Sequence, residues 1–182
     1  MNRPPHPDAD LQAARPSSTP PPSSPGAGAV LEPNLKYLAT VALRFDTPRS
    51  IGETPDGIRL EFEMRGTIDG PVLQGTLPPC TAYLIVDVDA VGLLQLRAPV
   101  VLSDGAVAEL EATGRYNLGP NGYERAVGKD LPTASLGCSP RFFTASPRYL
   151  WLNRVVCLGV GQLRPRDGRL EFDLFAVMPT AG

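Results

Sequence analysis

The segment PRYLWLNRVVCLGVG, residues 147–161, is the densest apolar stretch of the chain and contains its only tryptophan, Trp151. In an extended chain, successive side chains point to opposite faces, and in this segment both faces are mostly apolar. The pattern predicts a central β-strand that is covered on both sides. Gly159 and Gly161 then leave room for the bend that a sheet needs where it curls toward closure.

Around this segment, alternating apolar and polar residues predict further strands at hairpin spacing. The predicted strands are 35–45, 58–67, 72–77, 83–89, 93–102, 106–116 and 169–177. Between residues 117 and 141, glycine and proline interrupt the alternation, so this part is predicted to be a long excursion over one end of the sheet. Excursions of this kind often form lids or binding loops. No segment predicts an amphipathic helix longer than two turns.

Eight or more hairpin-connected strands without covering helices must close into a barrel or stack as a sandwich. We predict an all-β chain with a single antiparallel β-barrel over residues 31–182, because strands of about ten residues are long for a small sandwich. Residues 1–30 contain eight of the 21 prolines, interleaved with serine and glycine. Such a composition predicts a disordered proline-rich tail, which serves as a spacer or, alternatively, as a docking ligand.

Charge and composition exclude several classes of function. The chain has 17 basic and 19 acidic residues, mixed along its length, for a net charge of −2. Without a basic stripe, we expect no nucleic-acid partner. There is no run of about 18 apolar residues and no apolar core of a secretory signal, so we expect no membrane partner. Three cysteines without a Cys-x-x-Cys spacing indicate a reducing cytoplasm rather than a disulfide framework.

The chain also lacks the motifs of several kinds of catalysis. Its only histidine, His6, lies in the tail. We therefore expect neither a Ser-His-Asp or Cys-His mechanism nor a histidine metal site in the barrel domain. No glycine-rich phosphate or dinucleotide motif is complete. The sequence predicts a protein that uses no metal and no cofactor.

Four short motifs, in order along the chain, resemble the bacterial and fungal family known as domain of unknown function 3237. They are GTIDGPVLQG at 66–75, LQLR at 94–97 leading to SDG at 103–105, SPRF at 139–142, and PRYLWLN at 147–153 followed by GVG at 159–161. The resemblance covers residues 35–177 and implies a calycin-like antiparallel barrel with an interior pocket, but no settled activity.

The chain departs from the family pattern at several positions. Ala82 and Tyr83 stand where the family often has aspartate and tryptophan, Gln95 where it has aspartate, and Phe143 where it has glutamate. If these positions line the pocket, this chain has lost carboxylates and kept aromatic bulk. The resemblance then implies a more apolar ligand than that of many relatives.

Glu63 and Asp87 are the candidate catalytic carboxylates. Each belongs to an acidic pair two residues apart, with Glu61 and Asp89 respectively, on one face of a predicted strand. A carboxylate turned into the barrel would lose solvation, and its pKa would rise toward neutrality, where it could transfer protons. The alternative is that these pairs form the solvated outside of the barrel.

Six residues are predicted to line one cavity at one end of the barrel and to contact the substrate. They are Tyr83, Arg97, Tyr116, Phe143, Trp151 and Asn153. Arg97 would hold an anionic or enolate oxygen, and Asn153 would bond to a ligand carbonyl. The alternatives are a surface arginine, a tryptophan that fills the core and an asparagine that bonds to the backbone.

Two classes of function remain open. The first, which we favour, is a cofactor-independent enzyme of the cyclase, isomerase or lyase type. It would hold a hydrophobic polyketide- or terpenoid-like substrate of bacterial secondary metabolism inside the barrel. The second is a carrier or sensor of such a molecule, which needs no titratable group facing the ligand. An adaptor role through the tail ranks third. A homodimer is one option for the assembly.

Overall fold

The computed structural model describes residues 33–178. The predicted tail, residues 1–30, lies outside the described residues. The described part contains nine strands: β1 Asn34–Phe45, β2 Arg49–Thr54, β3 Gly57–Asp69, β4 Gly75–Val86, β5 Val91–Leu102, β6 Val107–Asn117, β7 Ala134–Phe143, β8 Val156–Arg164 and β9 Arg169–Met178. It also contains one short helix, α1 Gly122–Val127, and two 3-10 helices, Pro147–Arg154 and Pro165–Asp167.

Antiparallel pairing closes this sheet into a barrel, as predicted. Strands β3 to β9 pair in chain order, β9 pairs with β1, and β1 returns to pair with β3. Strand β2 pairs with β3 alone and extends beyond the closed wall. At the closure, a Cβ on Gly66 would collide with the carbonyl oxygen of Ala42, so glycine lets β1 and β3 approach.

The barrel interior is filled with apolar side chains from one face of every wall strand. Val41, Phe62, Leu84, Leu110 and Phe172 are each at most 1% exposed. Within residues 33–178, no charged residue is buried. Burial of each Leu or Phe side chain contributes about 1.5–3 kcal/mol, so this apolar core is the main source of the barrel's stability.

The segment 147–161 is not one central strand, and that prediction is wrong. Pro147–Arg154 forms a 3-10 helix, and only Val156–Arg164 is strand. Pro147 fixes a helical φ at the start, and the buried Tyr149 and Leu152 are three residues apart, which is the period of a 3-10 helix. The Tyr149 hydroxyl donates to the Asp104 carboxylate at 3.1 Å, which ties this helix to the β5–β6 turn.

The region 117–141 was predicted as one excursion, but it contains helix α1 and most of strand β7. The inward face of β7 reads as irregular in the sequence because it includes small residues and a proline: Ala134, Leu136, Cys138, Pro140 and Phe142. Residues 118–133 do pass over one end of the barrel, where Leu118, Ala126 and Leu131 are buried. We call this the α1 end.

Strand β2 was not predicted, and β4 was predicted as two separate strands. β4 runs unbroken from Gly75 to Val86, with an irregularity in its pairing to β5 between Thr76 and Thr81. Two consecutive prolines, Pro78 and Pro79, fall in that irregular part and interrupt the apolar alternation. The structure therefore keeps a strand where the sequence pattern indicates a break.

Candidate functional site

The structure places the six predicted substrate contacts on both sides of the barrel wall. Tyr116 points inward and is 0% exposed, whereas Tyr83 is 41% and Trp151 is 38% exposed on the outside. Arg97, Phe143 and Asn153 are also exposed. Side chains alternate between faces along a strand, which explains the positions of the four residues in strands, whereas Trp151 and Asn153 lie on the exposed side of the 3-10 helix. The six residues therefore do not line one cavity, and their roles as ligand contacts stay predictions.

Arg97 lies on the outer wall within a network of charged side chains. Its guanidinium donates to Glu109 at 2.8 Å and lies 3.6 Å from Glu111. The hydrogen bond to Glu109 raises the pKa of Arg97. Arg97 and Tyr83 both line a shallow groove of about 300 Å³ on this wall. Exposed pairs of this kind are well solvated and contribute little to stability, as in the surface-arginine alternative.

The two candidate carboxylates differ in position. Glu63 lies on the outer wall, 3.4 Å from the Arg49 guanidinium. Asp87 lies in the β4–β5 turn at the α1 end, where its Oδ1 accepts hydrogen bonds from the backbone N–H groups of Val91 at 2.9 Å and Asp89 at 3.1 Å. Neither carboxylate is buried in the barrel, so neither is turned into the interior as the catalytic prediction requires.

Asn153 bonds to the backbone rather than pointing into the barrel. Its amide nitrogen donates to the Thr144 carbonyl at 2.9 Å, and its amide oxygen accepts from the Thr144 N–H at 2.9 Å. These two bonds fix the end of the 3-10 helix against the end of β7. Trp151, two residues earlier, lines a separate apolar groove on the outside with Val156 and Val177.

Tyr116, the inward-pointing member of the set, has an unpartnered hydroxyl. Within residues 33–178 it is the only buried side-chain nitrogen or oxygen without a hydrogen-bond partner. Its neighbour across the ladder is Gly92, where a Cβ would approach the Tyr116 Cβ to 3.3 Å, so the glycine makes room for the ring. Burial strongly raises the pKa of the phenol, which is therefore a neutral donor at ordinary pH.

Cys138 and Cys157 are the buried thiols of the interior. Burial raises the pKa of Cys138 to about 12 and that of Cys157 to about 11. Both stay protonated near neutral pH and lack the thiolate form that nucleophilic catalysis needs. Cys157 is 1% exposed and packs as a small buried hydrophobe.

A cleft of about 490 Å³ opens at the α1 end of the barrel. Three connections that are far apart in the sequence form its walls: residues 45–48, 129–131 and 165–168. Phe45 and Leu131 give it apolar surface, and the Asp130 carboxylate accepts hydrogen bonds from Arg125 at 3.1 Å and Arg166 at 3.3 Å. The Arg125 bond, followed by the Arg166 bond, lowers the pKa of Asp130.

Sequence reasoning missed this cleft because no local motif marks it. The only signal was the length of the 117–141 excursion, which indicated a lid or binding loop. Helix α1 in that excursion is flanked by two non-glycine residues in the left-handed region, Asn121 at φ 59° and Lys129 at φ 60°. Such positions are strained and are common in switch regions. The Tyr123 hydroxyl ties the helix to Glu53 at 2.7 Å.

Residues 33–178 contain neither a cluster of metal ligands nor a membrane-spanning helix. In that range, no three His, Cys, Asp or Glu side chains are grouped as the ligands of a metal ion would be. No helix in the same range combines the length and the apolar character needed to cross a membrane.

Comparison with solved structures identifies proteins of the same fold. A conserved protein of unknown function from Rhodopseudomonas palustris is 24% identical with a TM-score of 0.71, over 81% of this chain and 99% of that one. A β-barrel-like protein from Acinetobacter baumannii is 24% identical with a TM-score of 0.68, over 89% and 100%. A protein described as an enzyme from Penicillium herquei is 19% identical with a TM-score of 0.61, over 83% and 98%.

A comparison with curated proteins gives no significant match. The sequence profile of the family described as "Protein of unknown function (DUF3237)" matches residues 33–177, which is most of the chain. The profile covers β1 to β8 in full and β9 up to its penultimate residue, and it includes Tyr116 and the cleft at the α1 end. The resemblance seen in the four sequence motifs is therefore confirmed: this chain belongs to the DUF3237 family.

Proposed function

We propose that the barrel binds a hydrophobic small molecule at its α1 end, and that the Tyr116 hydroxyl donates a hydrogen bond to an oxygen of that molecule. The observation that carries the proposal is the unpartnered hydroxyl, fully buried in an interior that holds no charged side chain. A buried hydroxyl without a partner destabilises a fold by about 1–3 kcal/mol. A ligand oxygen would remove that penalty.

The surroundings of Tyr116 define the chemistry of the ligand. Its skeleton must be apolar, because Leu84, Leu136 and Cys138 are buried on the inward face of the strands near this ring. It must also carry one acceptor, such as a carbonyl or ether oxygen, because the raised pKa keeps the phenol protonated. A hydrophobic polyketide- or terpenoid-like ketone meets both requirements.

Uptake requires the segment that covers the α1 end to move. Leu118, Ala126 and Leu131 close that end, and the open cleft lies beside them. The left-handed Asn121 and Lys129 stand on either side of helix α1, so rotation at these two positions would lift the helix with relief of backbone strain. Because side chains fill the interior itself, the ligand would occupy the cleft and the space that this movement opens beside Tyr116.

We further propose that the bound molecule is a substrate of a cofactor-independent cyclase or isomerase. A neutral phenol in a dry site stabilises the negative charge that develops on a carbonyl oxygen during enolisation or ring closure. The barrel would hold the reactive conformation by shape. Asp87, at the same end as Tyr116, is the candidate proton acceptor. A protein of the same fold from Penicillium herquei is described as an enzyme, which supports catalysis on this fold without naming the reaction, and the 19% identity relates the folds alone.

A carrier or sensor is the second candidate, and one observation favours it. Oδ1 of Asp87 is occupied by two backbone N–H groups, and the described interior holds no ionised side chain. A carrier needs only the apolar interior and the Tyr116 donor. The Asp87→Asn variant separates the two candidates, because it keeps the Oδ1 acceptor of the turn and removes the titratable carboxyl group.

Native mass spectrometry of the full chain tests the proposal. We expect a small molecule to remain bound after purification, to be lost in Tyr116→Phe, and to stay in the matched control Tyr149→Phe, whose hydroxyl is bonded to Asp104. The Asp87→Asn variant should retain the molecule whether the protein is an enzyme or a carrier. In an enzyme, it should also abolish turnover. A wild-type protein that retains nothing, and whose melting temperature is unchanged by a panel of hydrophobic ketones, would overturn the proposal.

A further inference from the structure

The outer wall of strands β8, β9 and β1 is apolar over a continuous area. Its side chains form rows across neighbouring strands. The pairing of β8 with β9 puts Val156 opposite Val177 and Leu158 opposite Phe175. The groove beside Trp151 extends this area. We call it the outer apolar face; its members are Leu35, Tyr37, Leu150, Trp151, Val156, Leu158, Val160, Phe175, Val177 and Met178.

The outer apolar face has the size of a subunit interface. Eight of its side chains are between 37% and 63% exposed. With on the order of 200 Å² for a fully exposed large side chain, they present roughly 700 Å² of apolar surface to water. The largest patch on a typical monomer is about 300–600 Å², whereas a standard interface buries about 800 Å² per partner. A monomer would leave an unusually large apolar area uncovered.

We propose that two copies of this chain pair through the outer apolar face about a two-fold axis. A two-fold interface uses the same patch on both subunits, and an apolar face is complementary to itself. Strand β8 is apolar on its inward and outward sides, which predicts a cover on both. The segment before the barrel is a poor cover, because Met1, Leu11, Val30 and Leu31 are the only large aliphatic residues among residues 1–32.

Charge at the two ends of the face favours an antiparallel arrangement. Asp173, which pairs with Val160, marks the end nearer helix α1, and its carboxylate accepts a hydrogen bond from Thr40 at 2.6 Å. Arg154 lines the groove at the opposite end. A two-fold axis through the centre of the face would bring Asp173 of one copy toward Arg154 of the other. Opposite charges would thereby fix the register of the pair.

Analytical ultracentrifugation of the full chain tests this pairing. We expect the wild type to sediment with twice its chain mass of 19.4 kDa. Leu158→Glu combined with Val160→Glu should raise the dimer dissociation constant at least 100-fold. Val101→Glu combined with Val107→Glu is the matched control, because these exposed valines pair across β5 and β6, away from the outer apolar face, and it should leave the dimer intact.

A charge exchange gives a second test that does not depend on the glutamate variants folding. Asp173→Arg or Arg154→Asp alone should each raise the dissociation constant three- to ten-fold, and the two together should restore it to within about three-fold of the wild type. Failure of the double exchange to restore affinity would overturn the arrangement. If the full chain sediments at 19.4 kDa up to the highest protein concentration measured, the dimer is overturned. This holds even if a variant that lacks residues 1–32 then forms pairs.

Discussion

Replacement of Tyr116 by phenylalanine should make the ligand-free protein more stable. The hydroxyl is fully buried and unpartnered, so its removal recovers a desolvation penalty of about 1–3 kcal/mol and leaves the ring packing unchanged. For a chain of this size, each kcal/mol corresponds to about 2–4 °C. We therefore expect the melting temperature of Tyr116→Phe to rise by about 2–12 °C, measured by circular dichroism on protein stripped of small molecules.

The matched control should change in the opposite direction. Tyr149 donates its hydroxyl to Asp104, so Tyr149→Phe loses a hydrogen bond and should lower the melting temperature by a few degrees. The opposite signs of the two changes in melting temperature would show that the gain at Tyr116 comes from an unpartnered hydroxyl and not from a general stabilisation by phenylalanine. A loss of stability in stripped Tyr116→Phe would show that the protein itself, or a buried water, satisfies the hydroxyl. That result would refute the reasoning behind the ligand site.

Three further predictions concern the fold. The hydrogen bond from the Ala106 N–H is the main cause that lowers the pKa of Asp104, and the bond from Arg125 is the main cause that lowers the pKa of Asp130. Both carboxylates therefore stabilise the folded protein above about pH 4. This stability should be lost as the pH falls through their folded-state pKa values. Asp104→Asn should flatten a plot of melting temperature against pH in that range. Asn153→Ala should destabilise the protein by about 1–3 kcal/mol in chemical denaturation without loss of a bound molecule, because its amide bonds only to backbone. Gly66→Ala should reduce stability by at least about 1–3 kcal/mol, since its Cβ meets backbone at the barrel closure, and a wild-type-like denaturation curve would contradict that geometry.

The sequence predicted the strands in which apolar and polar residues alternate regularly. The prediction failed where the apolar residues follow the period of a 3-10 helix or where the alternation is hidden. β1 and β9 were predicted almost to the residue, because one face of each strand is buried in the barrel. Residues 147–154 were misassigned because a 3-10 helix with Tyr149 and Leu152 on its buried side also looks apolar on both faces of an extended chain. The alternation of β7 was hidden by its inward proline and alanine.

The candidate site was less predictable, because its members depend on which face of a strand turns inward. Tyr116 stands between two polar residues and Arg97 between two apolar ones, yet Tyr116 lies in the core and Arg97 on the outer wall. The departures from the family pattern divide in the same way, since Ala82 is buried while Gln95 and Phe143 face out. The cleft at the α1 end depends on three connections that meet only in the folded chain.

The pairing of β9 with β1 has a consequence for folding during synthesis. Thr40 lies opposite Asp173, so the first and last strands of the barrel must find each other across more than 130 residues. Contacts of such high sequence separation slow folding. Until the ribosome releases β9, the nascent chain holds an open sheet with two unpaired edges, which can associate with other strands. Production of this protein should therefore depend on chaperones that shield those edges until the last strand emerges.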